Sequence, residues 1–490
     1  MESQPAPTRE WHLEPKSEYR FELDPDVSLA IRLVRGKAEI FGSEIALGRT
    51  YLFGSECKAA VFTWHGCQAS TEYVSDETPM TPYINLHLAF EQSRVRANRA
   101  NRESSGASTV KSEQASYSRS EPPRVMFLGP ENSGKTSAMK ILANYAVRSS
   151  QGWAPMIVNA DPNEGGWTVP GTISACPITM PIPTSSPANP LGSTATTAPT
   201  ALTTSALLPL VFWYGHADTK RNTQLYERLL ADLGEAVRVR FKADPMTRVA
   251  GLFLDTPANF ATSTGDNKFS LVQTCVEAFD INVILVVGHE KLSVEMQRLF
   301  GSSASNRNIL VLKIPKSGGV VELDHAYRQR VHAYQQRAYF YGHSVQLPRN
   351  LSATAATLGG EASLELGLSP YSSVVGFDDI TIYRVGGETM APSSALPVGA
   401  SRTVSEMLPV RVDPSQRSSG LFNALLALLA AGPVPAAELS NEQILDLDVV
   451  GFVLVSSIDM ANRKMTILSP NPGNLAGRVA IVGSFEWQDQ

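Results

Sequence analysis

Apolar and polar positions alternate through the first hundred residues in runs too short for helices. Tyr19-Arg20-Phe21-Glu22-Leu23 alternates, as does Leu29-Ala30-Ile31-Arg32-Leu33-Val34. Further apolar runs at Ala38 to Phe41 and Ala59 to Thr63 are separated by the turn residues Gly36, Gly42, Gly48 and Gly54. This spacing predicts a small β domain. From about Tyr83 to Arg102 the period becomes helical, with Leu86, Ala89, Phe90, Ser93 and Ala97 on one side. Arg94, Arg96, Arg99 and Arg102 on that helix read as a solvated face, with phosphate contact as the alternative.

Residues 103–123 are rich in Ser, Glu and Pro with almost no large apolar groups, a composition that cannot offset its own ordering entropy. A flexible linker is expected there. Apolar strand candidates then alternate with helical patterns, the layout of a parallel α/β sheet: Val125–Leu128, Met156–Ala160, Leu252–Asp255, Ile281–Val287 and Ile309–Ile314. A Thr-, Ser-, Pro- and Ala-rich stretch over 181–206 reads as an inserted loop, and 344–372 is a milder case. From about residue 375 the chain returns to β-type segments such as Gly451–Val455 and Lys464–Leu468. No internal repeat is found.

Composition narrows the field. A chain of 490 residues has room for about three domains. The net charge of −5 excludes a global basic field for nucleic acid, leaving only a local groove. Cys57, Cys67, Cys176 and Cys275 are scattered without a CxxC pair, which argues against a disulfide scaffold or a zinc site and for a reducing compartment. The polar, acid-bearing N-terminus does not read as a secretory signal. The longest apolar run, Leu421–Ala431, is interrupted by Asn423 and falls far short of the roughly 20 residues a spanning helix needs. A soluble intracellular protein with no membrane partner is expected.

The strongest chemical signal is Gly129-Pro130-Glu131-Asn132-Ser133-Gly134-Lys135-Thr136, a full GxxxxGK[ST] match. Its glycines let the backbone wrap so that successive N–H groups, Asn132 to Ser137 among them, point at phosphate oxygens. Lys135 reaches the β- and γ-phosphates and the Thr136 hydroxyl holds Mg²⁺. Chance alone would give about 0.02 such matches in a chain of this size. A strand stands immediately before the loop, and Ser137 to Arg148 is helical, with Met139, Leu142 and Ala146 on one face. Strand–loop–helix is the context the motif requires.

Two acids end apolar strands nearby. Asp161 could deprotonate an acceptor hydroxyl or hold a metal through water; a turn before Pro162 is the plainer reading. Asp255 stands where a Walker-B aspartate would, yet Thr256-Pro257 also suits a turn. No [N/T]KxD motif is present and no DxxG follows Asp255, which disfavours a GTPase switch protein. Pro315 to Val321 reads as a strand-to-strand turn, with a ligand clamp as the alternative. A helix from about Asp324 to Tyr341 carries Arg328, Arg330 and Arg337, either phosphate clamps or surface ion pairs. His325 and His332 are seven apart, so a helical metal pair is not expected.

Several segments together resemble a known family: Lys37–Gly42, Phe62–Cys67, Glu77–Met80, the phosphate loop, Val169–Thr172, Pro315–Val321 and Tyr339–Gly342. The chain resembles the eukaryotic pre-mRNA cleavage-factor subunit of the polynucleotide 5′-hydroxyl-kinase family, in a fungal-looking form, over nearly its whole length. The resemblance implies an N-terminal β domain with its helix over 1–102, a linker over 103–123, a P-loop kinase-like α/β domain over 124–342 and a β-rich domain over 343–490. It implies ATP and Mg²⁺, a nuclear location, and a role in cleavage and polyadenylation. The implied partner is the large scaffold subunit of cleavage factor IA, which binds the RNA polymerase II tail, with other cleavage factors and indirectly pre-mRNA. It also implies nucleotide contacts from Glu18 and Lys58, which no pattern in the chain would select.

Kinase-active members carry a DxGQ-like element where this chain has Asp161-Pro162-Asn163-Glu164. Gln329, His332 and Gln335 fall where lid arginines are expected. An arginine in that role contributes about 10³- to 10⁵-fold to phosphoryl transfer. The expectation is therefore an ATP-binding scaffold without kinase turnover. The alternative is an active RNA 5′-hydroxyl kinase with Asp161 as general base; an unrelated P-loop ATPase is the third class.

Overall fold

In the computed structural model the alternating N-terminal segments form short antiparallel strands. The structure describes residues 10–69, 74–75, 77–106, 121–182, 186–192, 209–262, 268–301, 309–342, 369–386, 407–430 and 440–488. Strand Ser17–Glu22 pairs with Lys58–Thr63, which pairs in turn with Ala38–Ile40. Period-2 geometry sends Tyr19 and Phe21 into a core with Ile31, Phe53 and Val61. Glu18, Arg20 and Glu22 therefore stand on the opposite face. The register places Glu22 across from Lys58 and Glu18 across from Phe62, so Glu18 and Lys58 share that face. Each buried core side chain here contributes roughly 1.5–3 kcal/mol.

The first helix, Met80–Gly106, is longer than its apolar pattern predicts, and it buries a different stripe. Met80, Tyr83, His87, Phe90, Arg94 and Ala97 face inward, while Ala89 is exposed. Two of the six, His87 and Arg94, are basic side chains, which hides the stripe from a purely apolar reading. Arg94 corrects the solvated-face expectation outright, since it is 0% exposed. Its Nε donates to the Ala250 carbonyl at 2.7 Å, its guanidinium lies 5.6 Å from the Phe253 ring centre, and Glu91 stands 3.7 Å away. Those partners offset part of the desolvation of the buried charge, while Nη1 and Nη2 are left without a hydrogen bond.

The central sheet has seven strands in the order Leu210–Trp213, Thr172–Pro177, Met156–Asn159, Leu252–Asp255, Arg124–Leu128, Val283–Val287, Leu310–Ile314. The last five are parallel and the first two add antiparallel at one edge. Val125 to Leu128 are fully buried, as strands covered on both faces require. One face carries helix Lys135–Arg148 together with the first helix; the other carries Thr223–Ala243 and Ser270–Ala278. This is the expected α/β class. Part of the stretch read as an inserted loop packs instead: Leu191 is buried and its carbonyl accepts from Trp167 Nε1 at 2.6 Å. Most of the other low-complexity positions (107–120, 193–208 and 343–368) lie outside the described residues.

The C-terminal part forms a second seven-stranded sheet, mostly antiparallel, from Tyr371–Gly376 to Arg478–Glu486. Its Phe452, Phe485 and Trp487 join the same apolar cluster as Trp213, Tyr339 and Phe340 of the central part. All four cysteines are buried and no disulfide joins them. Among the described residues no helix is long and apolar enough to cross a membrane.

Candidate nucleotide site

The loop 129–134 leaves the strand Arg124–Leu128 and enters the helix Lys135–Arg148 through two left-handed residues, Asn132 (φ 51°) and Gly134 (φ 88°). A side chain at Gly134 would be strained, and its Cβ would stand 3.0 Å from Val320. Gly129 is equally confined, since a Cβ there would meet Ser133 Oγ and the Val287 carbonyl at 2.9 Å. Lys135 is buried, and its Nζ donates to the Pro130 carbonyl at 3.0 Å. The helix brings its positive end to the same place.

Strand register aligns the acids with this loop. Asp255 ends its strand beside Phe127, and Asn159 is aligned with Asp255 in the next strand, two residues before Asp161. Both carboxylates thus stand at the C-terminal ends of adjacent parallel strands, where α/β sheets bind ligands. Thr136 Oγ1 donates to Asp255 Oδ2 at 2.5 Å. Asp255 Oδ1 and Ser133 Oγ are buried without a hydrogen-bond partner. Burial pushes the Asp255 carboxyl up to about 6, against the opposing pull of Lys135 and Thr136. Burial, then the Glu164 charge, likewise raises Asp161, although the Asn163 N–H bonds its Oδ1 at 3.0 Å. A divalent cation held by Thr136 and Asp255 would satisfy the orphaned oxygen, and its charge would oppose the upward shift that burial causes.

These groups open onto a cavity of about 1130 Å³ lined by both the N-terminal and central parts of the chain. Asn132 to Ser137, Asp161, Glu18 and Lys58 all line it, so the structure brings together every candidate except Gly129, the first residue of the loop, which does not line the cavity. Glu18 is buried, accepts from Arg20 Nε at 2.7 Å and from Thr78 Oγ1 at 3.0 Å. Lys58 pairs with Glu22 and lies 5.2 Å from the Tyr327 ring centre, its pKa lowered first by burial and then by Arg330.

Three segments match family models: residues 12–97 the N-terminal β-sandwich domain of polyadenylation factor, 129–342 the P-loop of mRNA cleavage and polyadenylation factor CLP1, and 368–489 pre-mRNA cleavage complex II protein Clp1. The mRNA cleavage and polyadenylation factor CLP1 of Laccaria bicolor is 58% identical over 98% of both chains. The chain belongs to the CLP1 family. The Mycosarcoma maydis factor of the same name is 36% identical over 98% of both chains. The Arabidopsis thaliana CLP1 homologue is 34% identical, covering 97% of this chain and 93% of its own. Among solved structures, a Clp1p–Pcf11p complex superimposes with a TM-score of 0.79 at 24% identity over 99% of both chains, a likeness of fold. A second, at TM-score 0.78 and 24% identity over 99% of both chains, is described by an extended Pcf11p–Clp1p interface and the basis of ATP loss in a glycine-to-arginine mutant.

Against the family's kinase pattern, the helix His325–Tyr341 is the informative element. Arg328 reaches Glu131 Oε1 at 2.7 Å, Asn132 Oδ1 at 3.1 Å and Glu164 Oε1 at 3.3 Å. His332 Nε2 bonds the Asn163 carbonyl at 2.8 Å, and Gln335 Nε2 donates to the Glu164 carbonyl at 2.7 Å. His332 and Gln335 thus fasten the segment after Asp161. Arg330 pairs with Glu56 at 2.6 Å, and Arg337 stands 5.2 Å from the Tyr341 ring centre. The segment Pro315–Val321 is not a strand-to-strand turn. It leads into this helix, lines the cavity with Ser317 to Val321, and runs so close to Arg20 that a Cβ on Gly319 would lie 2.6 Å from its Nε.

Sequence reasoning weighed Asp255 and Arg328 without placing them among the site residues, and it missed Arg20 and Lys140, which line the cavity with Arg328. Asp255 carried a signal, an acid ending a buried strand. Lys140 carried none. It is a buried lysine one turn past Thr136, 4.2 Å from the Phe41 ring centre, with its pKa pushed down to about 8 by burial.

Proposed function

We propose that the chain binds ATP with Mg²⁺ in this cavity and acts in the nucleus as a nucleotide-stabilised scaffold of the pre-mRNA 3′-end cleavage machinery, without phosphoryl transfer. The phosphate loop, the orphaned Asp255 oxygen beside Thr136 and the Glu18–Lys58 face support the ligand. The relative described by ATP loss in a point mutant supports it further. The relatives solved with Pcf11p support a scaffold subunit of cleavage factor IA as the direct partner.

One observation carries the absence of transfer. His332 and Gln335 spend their side chains on backbone carbonyls, and Arg328 is the one arginine of this helix among the described lining residues. Among the described lining residues, Asn163, Asp218, Asn259 and Phe485 bring no positive charge to a polynucleotide. A phosphoryl transition state relies on cationic stabilisation, which this lid supplies thinly. The position of Asp161 at a strand end favours the kinase alternative. There Asp161 would take the proton of a 5′-hydroxyl as that oxygen accepts the γ-phosphoryl group and ADP leaves.

The deciding experiment incubates the purified protein with γ-labelled ATP, Mg²⁺ and a 5′-hydroxyl RNA oligonucleotide, beside a Lys135→Ala control. Intact ATP recovered from the protein with unlabelled RNA is the expected result. Label on the RNA that disappears in the control overturns the scaffold reading, and steady phosphate release without RNA makes the chain an ATPase.

A further inference from the structure

The helix His325–Tyr341 presents two polar stripes to two different parts of the molecule. Arg328, His332 and Gln335, spaced i, i+4, i+7, hold the phosphate loop and the Asn163–Glu164 carbonyls. Tyr327, Arg330 and Tyr334, spaced i, i+3, i+7, face the turn 54–58 of the N-terminal domain. There Glu56, whose side chain is only 4% exposed, receives Arg330 through Nε at 3.0 and 3.1 Å and through Nη2 at 2.6 Å. The Tyr327 hydroxyl donates to the Glu56 carbonyl at 3.5 Å, Lys58 lies over the Tyr327 ring, and Tyr334 stands beside Ser55 and Glu56.

The helix is thus a bar across the cavity. One stripe grips the phosphate loop, the other the domain that supplies Glu18 and Lys58. A ligand beneath it is enclosed by Tyr327, Arg328, Gln329 and His332 above and by the phosphate loop below. Separating the bar from the N-terminal domain means breaking the second stripe, whose strongest member is the two-point, charge-assisted Glu56–Arg330 contact. That pair is half open to water on the Arg330 side, so it can part and re-form without opening either apolar core.

We propose that the turn 54–58 is a latch on this helix and that the Glu56–Arg330 pair sets the rate at which bound nucleotide escapes. The inference rests on the nucleotide reading above and adds a residue-level gate to it. The latch converts an ordinary phosphate-loop site into one that retains its nucleotide, as a structural ligand requires.

The test loads the full-length protein with a fluorescent N-methylanthraniloyl ATP and Mg²⁺, then chases with excess unlabelled ATP in a stopped-flow instrument. Glu56→Gln and Arg330→Gln are each expected to raise the dissociation rate about tenfold, which corresponds to about 1.4 kcal/mol. The double variant should be no faster than either single, because both remove the same contact. The reversed pair Glu56→Arg with Arg330→Glu should slow escape again. Raising salt should accelerate the wild type by a larger factor than the double variant. Arg330 is half-exposed, so Arg330→Gln carries the test even where Glu56→Gln disturbs its turn. Wild-type escape rates in both single variants overturn the latch alone. A wild type that does not bind the analogue, or a Lys135→Ala protein that binds it unchanged, overturns the nucleotide reading itself.

Discussion

The two flanking domains are joined to the central sheet by different chemistry. On the C-terminal side the apolar core is continuous. Phe452 packs on Trp213 and Tyr339 with ring centres 5.2 and 5.7 Å apart, and Phe340 stacks on Trp487 at 5.7 Å. The Tyr339 hydroxyl accepts the Phe452 N–H at 3.0 Å, and Ser484 N donates to the Gly215 carbonyl at 2.8 Å. On the N-terminal side a few apolar contacts, Phe41, Phe62 and Trp64 among them, are framed by ions. Glu39 receives the Tyr145 hydroxyl at 2.5 Å and Arg148 Nη1 at 2.9 Å, and Arg148 also pairs with Glu44. The backbone approaches closely here too, since a Cβ on Gly42 would lie 3.0 Å from the Ile141 carbonyl.

Apolar burial is non-directional and holds over a range of poses, whereas a buried hydrogen-bonded ion pair holds one geometry and fails when a partner is lost. The domain that brings Glu18 and Lys58 to the cavity is the one framed by ions. The C-terminal domain, which reaches the cavity through Ser484 and Phe485, is the one fused by aromatic packing. The molecule therefore has a rigid buttress on one side and a cover on the other whose seating depends on charge.

Phe452→Ala attacks the fused side and should have the largest effect. Loss of a buried aromatic ring is expected to cost about 3–5 kcal/mol in guanidinium unfolding, with both sheets lost in one transition. A C-terminal sheet that melts separately would instead make it an independent attachment. Next in size is Lys135→Ala. ATP at 100 times its Kd should stabilise the wild type by about 2.7 kcal/mol, and a thermal-shift titration should find that gain absent from the variant.

Glu39→Gln tests the cover. Weakening its charge-assisted contacts to Tyr145 and Arg148 should cost about 1.5–3 kcal/mol. Hydrogen exchange should rise in Ala38–Ile40 while the strands around Phe452 stay protected; equal deprotection of both would erase the contrast. The smallest effect at neutral pH is expected from His87, whose pKa burial and then the Arg94 charge press from 6.5 down to about 4. A neutral buried histidine takes up its proton on unfolding, so its contribution is full above pH 6.5 and declines as pH falls toward 4. The slope is at most about 1.4 kcal/mol per pH unit. His87→Gln should flatten the acid side of the stability profile, and an unchanged profile would place that titration elsewhere.

Much of the fold was legible because local pattern and tertiary environment agree at many positions. The strand before the phosphate loop, the loop and its helix are written in consecutive residues, and Met139, Leu142 and Ala146 are all buried where the helical period puts them. The first helix shows where legibility ends. Its buried stripe includes His87 and Arg94, residues that belong inside only because Ala250, Phe253 and Glu91 are brought to them from elsewhere in the chain. Leu191 is a similar case, a core residue inside a low-complexity stretch.

The sequence by itself determined that a phosphate-binding loop exists, because eight consecutive residues encode a backbone conformation and the two side chains that serve it. It also carried the family resemblance that singled out Glu18 and Lys58. Only the tertiary structure decided how those two reach the loop: strand pairing puts them on one face, and the polar contacts at Glu39 and Glu56 seat that face over the cavity. The fate of the lid helix was likewise a tertiary decision. Whether an arginine, histidine or glutamine meets a phosphate or a backbone carbonyl depends on what stands within about 3 Å of it. Those neighbours come from the segments around Glu56, Asn132 and Asn163, far apart in the chain.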